Sequence, residues 1–542
     1  MLRKTLKPIY ISVWCVVLLI CLIPLGTIGF QSISHQDIFS LLFSPYVLRT
    51  LKMSLGLGIA SLFFSLFLAI PLSYLLSRTN IPWKRPLLLV LGFPFVIPSY
   101  LFAIAWVVLA LPKVGLLNRV FDDLNFNIYS FSGLVWVTCN AFLPLLTNSL
   151  SKSFDSMDPS LEEAARISGA GPFRTFLKIT IPCLFPSILG TSLVFFFTVL
   201  SSFGIPAIIG NPAKLFVLTT QIFTVSKMGG LKGAEEGFVI SLWLILIALL
   251  LGGVGRFLRQ KYQVSLVGGK ASRHSLVDLG FLKWPLFGVG ISGVFLLVFL
   301  PLGALFISSL MKIPGELSWS NFSFENYLYL FRMKEGPVAL INSVTLAVLG
   351  SLTCCGIGFF VAYFSQRSQI KSASILERAA SIPFSIPGTV VGLAFIVSFG
   401  TGWGFQKLSF LGTPFILFVA YVAKDLAIAI NHLIPALGQI DKSLDESARI
   451  SGAGELAVID KILFPLSFPA LQVVFGLCAL PMLTELTMSV LLYGPGTETL
   501  GTLIFQLQDY SNPQAACALA SLLVVGLALV MLAFGSLSQK QK

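Results

Sequence analysis

Residues 158–186 read DPSLEEAARISGAGPFRTFLKITIPCLFP, and residues 441–469 read DKSLDESARISGAGELAVIDKILFPLSFP. At a constant offset of 283, Leu161 meets Leu444, Glu163 meets Glu446, Ala165 meets Ala448, and RISGAG at 166–171 meets RISGAG at 449–454. Lys178/Lys461, Pro182/Pro465, Pro186/Pro469 and, upstream, Asn148/Asn431 keep the same spacing. A second pair, PFVIP at 94–98 and PFSIP at 383–387, is offset by 289, with Tyr74/Tyr363 and Arg78/Arg367 in step. Repetition over so long a period means one architecture built twice. The six-residue change in offset places one connection of different length between the two markers.

Each copy of the long motif predicts a short helix. Ser160-x-x-Glu163 and Ser443-x-x-Glu446 fit a capping box, with Asp158 and Asp441 as alternative caps. Gly-Ala-Gly then ends the helix, because glycine takes the left-handed conformation at low cost. A second short helix should lead to Pro182 or Pro465, where an apolar run begins. The same small surface shown twice implies a partner with twofold symmetry.

Around these motifs the chain is overwhelmingly apolar. Of 542 residues, 56 % are hydrophobic and 11 % charged, and mean hydropathy is +0.90. Soluble domains carry about a quarter charged residues, which excludes that class. Apolar runs of spanning length occupy 9–30, 51–76, 87–111, 129–150, 181–201 and 237–258 in the first half. The second half has 284–310, 338–364, 380–400, 412–433, 464–483 and 513–534. A bilayer crossing takes about 20 apolar residues, so about twelve transmembrane helices are expected, six per half. The first run follows Arg3, Lys4 and Lys7 and resembles a signal peptide, but it shows no small-residue cleavage site and is expected to be retained.

The net charge of +13 then acquires a direction. With the N-terminus inside, 24 of the 36 Lys+Arg fall on inner segments and 11 on outer ones, Lys424 lying within a run. Basic loops stay on the cytoplasmic side, which places both termini and both motifs there. Because six is even, the halves 1–258 and 284–542 run parallel, joined by a basic linker at 259–283. The eight cysteines (15, 21, 139, 183, 354, 355, 478, 517) all fall in apolar runs without a CxxC spacing. They read as buried small hydrophobes. His35, His274 and His432 are too scattered for a metal cluster.

The two loops resemble the EAA motif, EAA-x3-G-x9-I-x-L-P, of the permease subunits of binding-protein-dependent ABC importers. The first copy matches at Glu163, Ala164, Ala165, Gly169, Ile179 and Pro182, the second at Glu446, Ala448, Gly452, Ile462 and Pro465. Ser447 stands for the middle alanine, and Ile181 and Phe464 stand for leucine. The resemblance implies an all-α polytopic membrane protein of the type I importer kind, with two parallel six-helix repeats. It makes 158–180 and 441–463 coupling loops that dock on two copies of an ATPase subunit, through Glu163, Ala164, Ala165 and Gly169 and through Glu446, Ser447, Ala448 and Gly452. The phrases PFVIPSY (94–100), SFGIPA (202–207), VLTTQI (217–222) and ELTMSVLLYGPG (485–496) narrow it to the single-chain ferric-iron permeases of the bacterial inner membrane. Relatives moving thiamine, aminoalkylphosphonate, polyamine or hexose phosphate share such segments and remain alternatives.

The chain carries no Gly-x4-Gly-Lys-Ser/Thr loop; Gly269-Lys270 lacks both the upstream glycine and the hydroxyl. ATP and magnesium are thus expected on partner subunits and no cofactor on this chain, which is a transport subunit rather than an enzyme. The further partners expected are an extracytoplasmic solute-binding protein and membrane lipid, with no nucleic acid. Within the apolar runs, Lys424, Asp425 and Glu485 are expensive to bury and are either path residues or helix-interface pairs. Pro94, Pro98, Pro383 and Pro387 either open broken helices along the path or make ordinary kinks. A stand-alone secondary transporter also has twelve spans, but it leaves the paired motif without a purpose. An integral-membrane enzyme would need a nucleophile–base or metal spacing that the sequence does not supply.

Overall fold

A computed structural model of the chain describes residues 6–27, 38–121, 125–261, 276–368, 370, 372–400 and 410–539. Among them ten helices are long and apolar enough to cross a membrane, and two sharply bent pairs raise the number to twelve if each is one crossing. The first repeat holds α1 (Lys7–Thr27), α2 (Pro45–Arg78), the bent pair α3 (Pro86–Phe95) and α4 (Ser99–Ala110), and α5 (Phe131–Ser156). It continues with α6 (Ser160–Ile167), α7 (Pro172–Ser201) and α8 (Gly233–Leu258). The second repeat begins with α9 (Gly280–Ser309), α10 (Glu335–Arg367) and the bent pair α11 (Ala373–Ser385) and α12 (Gly388–Phe399). It ends with α13 (Pro414–Gln439), α14 (Lys442–Ile450), α15 (Glu455–Leu483), α16 (Ser489–Leu492) and α17 (Pro513–Met531). Each predicted apolar run falls on one of these helices or bent pairs.

The prolines decide the two interruptions. Proline has no N–H to give, and it drives the preceding residue out of the helical region. Ile386, before Pro387, is extended at φ −109°, ψ 138°. The pairs bend by 98° at 96–98 and by 106° at 386–387, far beyond an ordinary kink. Pro182 and Pro465 act more mildly. The short helix expected before each is continuous with the span that follows, as α7 and α15. A π-helical turn at Phe176–Thr180 and at Ile459–Leu463 precedes the proline and takes up the lost bond.

Contacts divide the chain into two compact units: Met1–Val47 with Gln221–Leu242 and Phe324–Lys542, and Leu48–Thr220 with Trp243–Ser323. The first span of each repeat therefore lies in the unit built mainly from the other. In the first unit the Tyr10 ring of α1 stands edge-on to Phe364 at 4.9 Å, and the Tyr10 hydroxyl pairs with Ser372 at 2.8 Å. Thr27 pairs with Ser398 at 2.5 Å. In the second unit Asn140 of α5 accepts from Trp106 Nε1 and donates to the Leu297 carbonyl of α9 at 2.7 Å. Residues 262–275 of the basic linker lie outside the described residues.

The core of the first unit is the packing of α10, α13 and α15, with Phe364, Tyr421 and Cys478 fully enclosed. In the second unit α4 is buried nearly all round, while α2 turns Ile59, Phe63 and Phe67 outward. Helices apolar on every face need such a split between core and bilayer. Of the eight cysteines, Cys15 and Cys183 are exposed and the other six buried, all as free thiols.

Candidate coupling loops and the interrupted helices

The first motif forms α6 and the second α14. Their N-termini use the alternative aspartates rather than the serine boxes: α6 begins after Pro159 without a side-chain cap at that residue, so the Ser160–Glu163 box does not form. Asp158 instead accepts from the Ser160 amide at 2.9 Å, and Asp441 caps α14 by accepting from Ser443 N at 2.9 Å. These bonds hold both exposed carboxyls below the usual carboxylate range. Pro159 and Asp441 hold the N-cap positions, one residue before Ser160 and two before Ser443, so the serines fall inside the helices and cannot cap.

Both helices end alike. The Gly169 amide donates to Arg166 O at 2.9 Å and Ala170 to Ala165 O at 2.9 Å. Gly452 and Ala453 repeat this with Arg449 O at 3.0 Å and Ala448 O at 2.9 Å. The two glycines sit at φ +83° and +86°, the left-handed cap that a side chain would strain.

Glu163, Ala164 and Gly169 are exposed and Ala165 buried; Glu446, Ser447 and Gly452 are exposed and Ala448 half-buried. Between them Ile167 is 88 % exposed and Ile450 87 %, at the same repeat position. Leu161 and Leu444, at 47 % and 44 %, repeat the pattern. Two matched apolar and acidic faces thus point away from the protein.

What holds each face from behind was not read from the sequence. The acids just before the motif glutamates, Glu162 and Asp445, are the buried ones, at 4 % and 3 % exposure. Glu162 accepts from Thr180 Oγ1 at 2.6 Å. Asp445 lies 3.4 Å from Arg367 Nη1; burial pushes its carboxyl up, against the pull of Arg367 and Arg449. Arg78 Nη2 donates to Met157 O at 2.7 Å, and Arg367 Nη2 to Ile440 O at 2.5 Å and Leu437 O at 3.0 Å. Met157 and Ile440 are repeat equivalents, so each arginine ends a span and grips the carbonyl that opens its own loop. The second loop adds Glu455, which accepts from Tyr363 Oη at 3.2 Å and Arg449 Nη2 at 3.0 Å. In the first loop Pro172 stands at that position, and Tyr74 packs edge-on against Phe176 at 4.8 Å. The matched Tyr and Arg positions and the acids Glu162 and Asp445, at the same offset of 283, were the signal; only Glu455 has no acidic counterpart in the first loop.

The intramembrane residues gather in one unit. Lys424 Nζ, on α13, donates to the carbonyls of Pro383 and Phe384, both at 3.3 Å, and of Ile386. Its ammonium therefore covers the acceptors that the break at Pro387 frees, where the dipole of α11 is negative. Glu485 accepts from Met488 N and Ser489 N at 3.0 Å and from Ser489 Oγ at 2.8 Å, closing the start of α16. Gly388 meets this segment closely: a Cβ there would lie 3.1 Å from Thr487. Asp425 is buried on α13, where its carbonyl lies 4.0 Å from Cys478 Sγ. Pro94 and Pro98 belong to the other unit, where Ala141 and Phe142 stand at the positions of Lys424 and Asp425. Among the described residues no three His, Cys, Asp or Glu side chains converge as metal ligands.

With two matched loops, and ten helices of spanning length plus two bent pairs among the described residues, the chain belongs to the binding-protein-dependent transport system inner membrane component family, whose model matches residues 61–264 and 355–541. It is 26 % identical over 522 residues to the ferric transport system permease protein FbpB of Actinobacillus pleuropneumoniae, covering 93 % of this chain and 73 % of that one. A second ferric permease, from Haemophilus influenzae, is 27 % identical over 459 residues, with 81 % and 70 % covered. The molybdenum transport permease ModB of Escherichia coli K12 is 30 % identical over 210 residues, 38 % of this chain and 90 % of its own. A solved chain from a bacterial alginate importer covers 48 % of this chain and 96 % of its own at TM-score 0.39 and 20 % identity. The protein is thus a multi-pass ABC importer permease resembling the fused ferric permeases.

Proposed function

We propose that this permease imports ferric iron, receiving it from an extracytoplasmic binding protein, and that two ATPase subunits drive it through α6 and α14. The observation that carries the coupling role is the matched pair of outward faces, with Ile167 and Ile450 nearly bare beside Glu163 and Glu446. Large exposed aliphatics on a short amphipathic helix are costly unless a partner covers them. Iron is favoured because both ferric relatives align along most of the chain, whereas ModB matches 38 % of it.

The charge distribution supports cytoplasmic termini and loops. Each bent pair then crosses once, because five spans per repeat would put the two identical motifs on opposite faces. ATP-driven approach of the two ATPase subunits would draw α6 and α14 together and switch the path between its two openings. Uptake by the complex reconstituted with its binding protein tests the reading. Ferric ion should accumulate with ATP, and Glu163→Ala/Glu446→Ala should reduce the rate at least tenfold with loss of ATPase co-purification. Uptake of 2-aminoethylphosphonate or molybdate in place of ferric ion overturns the substrate.

A further inference from the structure

A cavity of about 1030 Å³ opens between α10 and the first turns of α15, wholly within one unit. Gly356, Phe360, Phe464 and Phe468 line it, with Asp460 and Lys461 on the part of α15 nearest the coupling loop. The Phe464 ring sits 5.9 Å from Phe359 and 6.4 Å from Phe468, so the walls are aromatic along their length. Both flanking helices are membrane spans, and Leu352, Phe464 and Phe468 are exposed on them.

The repeat shows where the two copies differ here. At the offset of 289, Gly356 corresponds to Phe67, whose ring is 74 % exposed in the other unit. A Cβ built on Gly356 meets nothing within 4 Å. Gly356 thus leaves the cavity without the side chain that the other repeat turns outward at this position.

Apolar space beside a bilayer fills with hydrocarbon, since water finds no polar partners along such walls. Its head end carries an exposed carboxylate and an exposed ammonium on adjacent residues. A purely anionic head group would meet Lys461 and be opposed by Asp460. A phosphoethanolamine head group satisfies both, with its phosphate on Lys461 and its ammonium on Asp460. We infer that this cavity is a phospholipid site selective for phosphoethanolamine, with an acyl chain lying over Gly356 between the phenylalanines. The wall at 456–461 directly follows Glu455, which ties down α14 through Arg449, so the bound lipid packs against the stalk of the second coupling loop.

Native mass spectrometry of the intact permease–ATPase complex, taken from membranes of phosphatidylethanolamine and phosphatidylglycerol and washed with detergent, tests this. The wild type should retain one phosphatidylethanolamine, and Gly356→Phe should lower the retained fraction at least fivefold with an unchanged thermal melt. Asp460→Lys should shift retention to phosphatidylglycerol. If Gly356→Phe melts early, the smaller Gly356→Leu serves as the filled variant, with the same fall expected. Equal retention by wild type and a filled, stable variant overturns the proposal, as does wild-type preference for phosphatidylglycerol. The readout is lipid and not solute, so its failure leaves the importer reading untouched.

Discussion

The two repeated loops keep one surface and brace it by partly shared, partly different contacts. Outside, Leu161, Glu163, Ile167 and Gly169 match Leu444, Glu446, Ile450 and Gly452 in identity and exposure. Inside, both loops are gripped by an arginine, Arg78 on Met157 O and Arg367 on Ile440 O. Glu162 of the first also accepts from Thr180, where the second has Leu463, and Asp445 and Glu455 of the second also pair with Arg367 and Arg449. The difference separates two constraints. On the proposed docking role, a partner that meets both loops fixes the outward residues, whereas any bracing that satisfies the buried polar groups will serve behind them.

Substitutions can break this comparison. The largest effect is expected from Arg367→Met, which leaves Asp445 buried without its cation and two carbonyls without a donor. That costs about 3–5 kcal/mol and should appear as an early thermal melt; a wild-type melt would remove Arg367 as the brace. Glu455→Pro gives the second loop the residue of the first. With Arg449 about a third exposed, losing the pair and the Tyr363 bond should cost about 1–3 kcal/mol, while the reciprocal Pro172→Glu should be near neutral in the same melt. Thr180→Val removes the donor to Glu162 and should cost about 2 kcal/mol, with ferric uptake falling in step with stability. Gly169→Ala and Gly452→Ala sharpen the likeness instead: each forces alanine into a left-handed cap at about 1 kcal/mol, and the two losses should be equal. Smallest is acidification. The Asp158 and Asp441 carboxyls ionise below the usual range, so their bonds are complete above about pH 4 and fade as pH falls through the lowered values. Amide exchange at Ser160 and Ser443, corrected for intrinsic pH dependence, should rise together there.

Much of this was legible. Hydropathy located all twelve apolar runs because the bilayer imposes both length and composition, and the glycine caps followed from the repeat itself. The prolines marked where the interrupted helices break, but the angle depends on what covers the freed carbonyls. For the second break this is Lys424, a residue forty positions away that hydropathy marks simply as costly. The serine boxes misled because the helices start one residue early at Ser160 and two early at Lys442, whereas the aspartates read as alternative caps do accept from the first-turn amides. Glu162, Asp445 and Glu455 were missed because a carboxylate in a polar loop looks the same whether it faces water or a buried donor such as Thr180, Arg367 or Arg449. That α1 packs with the second repeat was also unreadable, since a helix apolar on all sides carries no address.

The placement of α1 sets an order of events during synthesis. Its Tyr10 and Thr27 partners, Phe364, Ser372 and Ser398, leave the ribosome more than three hundred residues later, on the order of tens of seconds at about 5–20 residues per second. Until then the first helix made has lipid for company where its partners belong. The chain therefore cannot finish its first-born unit before its last spans arrive, and a nascent protein arrested at the linker would hold a helix with nowhere to dock.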